Sequence, residues 1–183
     1  AELRRHLGVC LDACHASVEF ERPLAAFGAL CKAGVRVPKI QVSAGLVLER
    51  GAPDGVAALR AFADDTYLHQ VVVRERGGLR RFLDLPDAIA AAPTLDPASE
   101  WRVHFHVPVF ERALGAFAST QPELAELLAA PEVIAECGAP EVETYTFDVL
   151  PARFRGAPVE EAIERELRWT AKAMGSALAT EGR

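Results

Sequence analysis

No apolar run in this chain approaches the roughly 20 residues that a membrane-spanning helix needs, and the N-terminus carries no signal-peptide pattern. A basic stripe is missing too. Lys and Arg number 20 against 26 Asp and Glu, for a net charge of -6, and the Arg74–Arg81 cluster is interrupted by Gly77-Gly78. Non-specific nucleic-acid binding draws on a basic face that displaces counterions from phosphates, so nucleic acid is excluded as a general partner. Cysteine is scarce and shows no metal-ribbon spacing. Cys10 and Cys14 stand four apart, not at C-x2-C spacing, and no second pair follows Cys31 and Cys137. Set within apolar patterns, the four read as buried reduced thiols of a cytoplasmic protein. Internal repeats and low-complexity tracts are lacking, and no Gly-rich phosphate turn follows the first strand. The chain also opens without Met and runs almost at once into a strand, which predicts a segment cut from a longer protein.

Half of the 183 residues are hydrophobic, enough for a single domain, 1–183, with a real core. Leu7 to Cys14 reads as a first strand. Pro23 to Gly34 reads as a helix, with Pro in its first turn and Gly as its stop. Val35 to Ala44 is a second strand, and Asp54 is placed to cap a short helix through Phe62. Tyr67–Arg74 and Leu79–Leu83 flank Gly77-Gly78 as a β-hairpin, expected to be an excursion from the main sheet. Pro86 to Ala91 is a short helix, Trp101 to Val107 a third main strand and Glu141 to Phe147 a fourth. Helical segments cover Gln121–Ala129 and Glu132–Cys137. The longest helix spans Val159–Ala179, with Ile163, Leu167, Thr170 and Met174 as its core stripe. Strand–helix alternation of this kind predicts an α/β fold of parallel (β/α) units. Four such units make half of a TIM barrel, whose sites lie at the carboxyl ends of the strands.

The chemistry concentrates at those ends. The first strand finishes in Asp12-x-x-His15, and a carboxylate closing a buried strand is costly unless a cation or donor pairs with it. Side chains alternate across a strand, which puts Cys10 with Asp12, Lys39 with Gln41 and Ser43, His104 with His106, and Glu141 with Glu143 and Tyr145. Asp12, His15, His104, His106 and Glu143 form a candidate ligand set for Zn²⁺, Mn²⁺ or Mg²⁺. Glu143, His104 and Lys39 are candidates for moving protons. Gln41, Ser43 and Tyr145 are candidates for contact with a small-molecule substrate. Each has a plainer reading: Asp12 as a loop cap, His15 as a brace, Lys39 as the ion-pair partner of Glu141, His69 as a surface or lid residue.

Gly8-Val-Cys-Leu-Asp-Ala-Cys-His15 resembles the fifth-strand motif of xylose-isomerase-like barrels, the superfamily that includes endonuclease IV and many sugar isomerases and epimerases. The resemblance implies that Asp12 and His15 bind a divalent metal and that Glu143 is the metal-binding Glu ending the eighth strand. His104 and His106 are similar in kind to the late histidines of the endonuclease-like members. Leu68-His-Gln-Val-Val, Trp101-Arg-Val-His-Phe-His-Val-Pro and Val142-Glu-Thr-Tyr-Thr-Phe-Asp-Val-Leu-Pro151 resemble the EboE group, named for metabolite traffic. That resemblance implies strands five to eight of a barrel and the handling of a secondary-metabolite precursor, with a metal-dependent isomerase or epimerase as the alternative. A metal-dependent hydrolase of the endonuclease IV type ranks third. Gln41 departs from the sugar isomerases, which usually place a metal-binding His there. Half a barrel would expose two sheet edges, favouring a homodimer or association with the missing half.

Overall fold

A computed structural model describes residues 6–143 and 146–175. The chain runs β1 (Cys10–Asp12), α1 (Ala13–Val18), α2 (Pro23–Lys32), β2 (Lys39–Val42), β3 (Ala44–Leu48), α3 (Pro53–Leu59), β4 (Val71–Glu75), β5 (Gly78–Phe82) and α4 (Leu85–Ala91). It continues through β6 (Glu100–Val107), β7 (Ala113–Leu114), β8 (Phe117–Ser119), α5 (Gln121–Ala129), α6 (Pro131–Glu136), β9 (Ala139–Val142) and α7 (Val159–Ala173).

The strands do not form successive parallel β/α units, and the half-barrel expectation fails. Among the described residues a three-stranded parallel sheet, ordered β1-β2-β9, adjoins a six-stranded sheet ordered β5-β4-β6-β3-β8-β7. Every pairing in the larger sheet is antiparallel. The change of direction happens at Ser43. Before it, β2 lies parallel to β1 and β9; after it, β3 lies antiparallel to β6 and β8. The predicted second strand thus continues to Leu48 and serves both sheets. The hairpin at Gly77-Gly78 forms, with Val71 opposite Phe82 and Glu75 opposite Gly78. It is no excursion, because β4 also pairs with β6 along Val71–Arg74 and joins the main sheet.

Strand β6 shows why the two sheet faces differ. Trp101, Val103, Phe105 and Val107 alternate onto the apolar core with Leu46, Phe62, Leu85 and Leu124. Arg102, His104 and His106 point to the other face, since strand side chains alternate. The pairing of β6 with β3 steps from Gly45↔His106 to Leu46↔Val103, so His104 and Phe105 sit in a bulge without β3 partners. Bulges re-aim side chains, and this one falls on the histidine pair.

Helix α1 begins where the predicted first strand was expected to continue. Asp12 is its N-cap, accepting from the His15 amide, and the strand before it shrinks to Cys10–Asp12. The helix packs tightly on β3. A Cβ added at Gly45 would stand 3.0 Å from the Cys14 sulfur and 3.1 Å from both the Val103 carbonyl oxygen and a Val18 methyl. A side chain at this position would force the sulfur, the carbonyl or the methyl to give by a few tenths of an ångström.

Two smaller expectations also change. Asp54 does not cap α3: Ala52 is the N-cap with Pro53 at the first position, and Asp54 adds a negative charge to the first turn. Helix α7 buries Ala162, Glu166 and Thr170, while Ile163 is 37% and Leu167 54% exposed. Of the predicted stripe, Thr170 is buried and Met174 packs against the core, while Ile163 and Leu167 are exposed. Glu166 is accommodated because its Oε1 accepts the Val109 amide at 3.1 Å. No helix among the described residues is long and apolar enough to cross a membrane.

Candidate metal centre

At the junction of the two sheets, β1, the first turn of α1, the bulge of β6 and the segment after β9 meet. Three overlapping sets of side chains have ligand atoms within 4.8 Å of one another: Asp12, His15 and His104; Asp12, His106 and Glu143; and Cys14, His104 and His106. The first two sets are drawn entirely from the five candidate ligands. Cys14 is the addition, a residue that reads from sequence as an inert buried thiol.

Asp12 is held from three sides. Its Oδ1 accepts from the His15 amide at 3.1 Å and from the Ser43 hydroxyl at 2.8 Å, and its Oδ2 meets the His15 ring nitrogen Nδ1. Burial works against the Asp12 charge, but the His15 ring and amide and the Ser43 hydroxyl outweigh it, and the carboxyl is held far below the usual range. The hydrogen bond to Asp12 in turn raises the His15 pKa, with burial acting in opposition. The His15 ring lies against that of His104, with centroids 3.9 Å apart.

The two β6 histidines are the buried half of the centre, at 8% exposure for His104 and 3% for His106. Their Nε2 atoms are 3.1 Å apart, and Nδ1 of His106 is 3.3 Å from the Glu143 carbonyl oxygen. Burial pushes His104 down to about 3, helped by the neighbouring charges of His106 and His15. Burial likewise pushes His106 down to about 4. Both rings are thus neutral near pH 7, the form that binds metal. Glu143 behaves oppositely: burial and the charges of Asp12 and Glu141 raise its carboxyl pKa. Its Oε2 is buried without a hydrogen-bond partner, 4.0 Å from Nδ1 of His106. An orphaned buried carboxylate oxygen beside neutral imidazoles fits a cation, which would satisfy the oxygen and relieve the carboxylate repulsion.

The other candidates are placed as follows. Gln41 stands in register between Asp12 of β1 and Glu141 of β9, at the edge of the centre. Lys39 is two residues back and ion-paired with Glu141 on the surface. Ser43 is 1% exposed, and its hydroxyl is committed to Asp12 and, at 3.1 Å, to the Cys14 amide, so it braces the centre from below. Tyr145 lies outside the described residues.

His69 is not a surface residue: it is fully buried behind β6. Its Nδ1 is 3.1 Å from the His104 carbonyl oxygen and its Nε2 2.6 Å from Asp64 Oδ2. Both ring nitrogens face oxygen acceptors. Thr146 supports the strand from the other end, donating to the His106 carbonyl at 2.6 Å. Carbonyl-directed contacts such as these leave no mark on strand periodicity, which explains why His69 reads from sequence as a surface or lid residue and Thr146 as no site residue. For Cys14 a signal existed: it lies between the two members of Asp12-x-x-His15.

Comparison of the chain with protein-family models, with curated proteins and with solved structures finds no match.

Proposed function

We propose that this chain is a divalent-metal protein that binds a small polar metabolite at the junction of its two sheets. The observation that carries the reading is the convergence of Asp12, His15, His104, His106 and Glu143 into sets within 4.8 Å, with the Glu143 Oε2 buried and without a hydrogen-bond partner. Asp12, His104 and His106 would hold the ion, joined by His15 on the exposed side and Glu143 from the segment after β9. A bound ion supplies Lewis acidity toward a carbonyl or hydroxyl oxygen. The protein groups do the rest. His15, hydrogen-bonded to Asp12 through Nδ1, lies on the exposed side of the ion. Glu143, whose carboxyl pKa is raised by burial, can accept or return a proton. His69 and Thr146 hold the carbonyls of His104 and His106 and so keep the bulge in place.

This residue set supports metabolite handling of the kind implied by the resemblance to the EboE group. The raised Glu143 carboxyl favours a second reading, turnover as a metal-dependent isomerase or epimerase. The four free cysteines fit a reducing, cytoplasmic setting. One experiment tests both readings: metal analysis of the purified chain, followed by solvent exchange of carbon-bound hydrogen on a panel of polyols and keto sugars. One ion per chain without exchange supports handling, and exchange that depends on the ion supports isomerisation. No ion in any preparation, with stability unchanged by chelator, overturns both.

A further inference from the structure

We propose that Cys14 is a thiolate ligand of this centre, completing with His104 and His106 a nitrogen–sulfur seat that selects zinc over magnesium or manganese. The inference rests on the metal reading above and goes beyond it by naming the ion class and a ligand outside the carboxylate–imidazole set.

The centre is graded in depth. Asp12 and His15 lie at the mouth, where the His15 side chain is 53% exposed. At the floor Cys14 is fully buried, and the buried rings of His104 and His106 stand over it. The sulfur and one nitrogen from each ring fall within 4.8 Å of one another. Tetrahedral zinc with nitrogen ligands at ordinary bond lengths separates those nitrogens by roughly 3.3 Å. The two Nε2 atoms are already 3.1 Å apart.

Position and chemistry agree. Cys14 sits in the first turn of α1, its amide donating to Ser43, so the backbone carrying the sulfur is tied to the same hydroxyl that holds Asp12. Gly45 lets this turn come close to β3. On metal binding the S–H bond breaks, the sulfur lone pair forms the metal–sulfur bond, and the proton leaves to solvent. Thiolate and imidazole suit zinc, whereas magnesium and manganese prefer oxygen ligands.

The test uses cobalt(II) as a spectroscopic stand-in for zinc, titrated into the metal-free 183-residue chain under reducing conditions. The wild type should bind one equivalent, with visible ligand-field bands and a near-ultraviolet thiolate-to-cobalt charge-transfer band. Cys14→Ser should keep visible bands, lose the near-ultraviolet band, release one proton fewer per ion and bind zinc at least about tenfold more weakly. Retained visible bands in Cys14→Ser show that the variant is folded. Cobalt bound by the wild type without the charge-transfer band overturns the Cys14 assignment while leaving the metal reading intact. A band that persists in Cys14→Ser and vanishes in Cys10→Ser overturns it in favour of Cys10. Failure of the wild type to bind cobalt or zinc at all overturns the metal reading and this inference with it.

Discussion

The Nε2 atoms of His104 and His106 face each other at 3.1 Å, and the other ring nitrogen of His106 is directed at the Glu143 carbonyl. If His106 donates from Nδ1, its Nε2 carries a lone pair toward His104. The two rings then share either one proton or one ion between them. Replacing either ring therefore removes a ligand and strands the other. His104→Ala is expected to lower metal affinity by at least about 10–100-fold, the range seen when even an outer contact of a metal site is lost. Competition against a chromophoric chelator measures it, and unchanged affinity would remove His104 from the centre.

Acid should destabilise the metal-free chain through these same two residues. Their folded pKa values, about 3 for His104 and about 4 for His106, lie below the usual histidine value. The unfolded state therefore takes up protons first as pH falls, and stability present above about pH 6.5 is progressively lost down to pH 3–4. His15 works in the opposite sense. Its raised pKa means a contribution fully present below the unfolded value and lost as pH rises through the folded one. Asp12, strongly depressed, keeps its contribution until far lower pH. Urea midpoints between pH 7 and 4.5 should fall, and His104→Gln should flatten the slope. A slope identical to wild type in that variant would contradict the assignment.

Ser43→Ala removes one donor to Asp12 and leaves the buried Cys14 amide without its acceptor. An unsatisfied buried donor costs about 1–3 kcal/mol. Equilibrium unfolding should show a loss of that size, together with weaker metal binding, because Asp12 is no longer fixed. A substrate-contacting serine would behave differently, lowering ligand affinity at unchanged stability.

Gly45→Ala tests whether the approach of α1 to β3 matters for the centre. The new methyl meets the Cys14 sulfur at 3.0 Å and two further atoms at 3.1 Å, so either the helix turn or the bulge must yield. Overpacking of this kind costs about 1–3 kcal/mol. Metal affinity should fall along with stability.

Phe62→Ala provides the contrast. Its ring makes edge contacts with Phe105 at 5.1 Å and Phe117 at 5.2 Å, on the core face of β6 and away from the histidines. Truncation should cost about 3–5 kcal/mol, as for other buried aromatics, while metal stoichiometry of the folded fraction stays at the wild-type value. Calorimetry with metal analysis at low temperature separates the two effects.

Taken alone, the sequence determined the local pieces. Pro23 and Gly34 bracket a helix, and Gly34 takes the left-handed φ of 73° beyond its end. Gly77-Gly78 marks a hairpin, and the Trp101–Val107 alternation separates a core face from a histidine face. These follow from φ preferences and from the two-residue period of a strand, both local properties. What tertiary structure alone decided is the sign of the pairing. Alternation reports which face is buried and says nothing of whether the neighbouring strand runs up or down. The chain switches partners at Ser43, the single residue between β2 and β3, so β3 enters an antiparallel sheet that alternating strands and helices did not foretell. The same holds for α7, where a backbone amide from Val109 satisfies buried Glu166 while Ile163 and Leu167 are exposed. In each case the deciding partner is distant in the chain, and a hydrogen bond to it outweighs the local pattern.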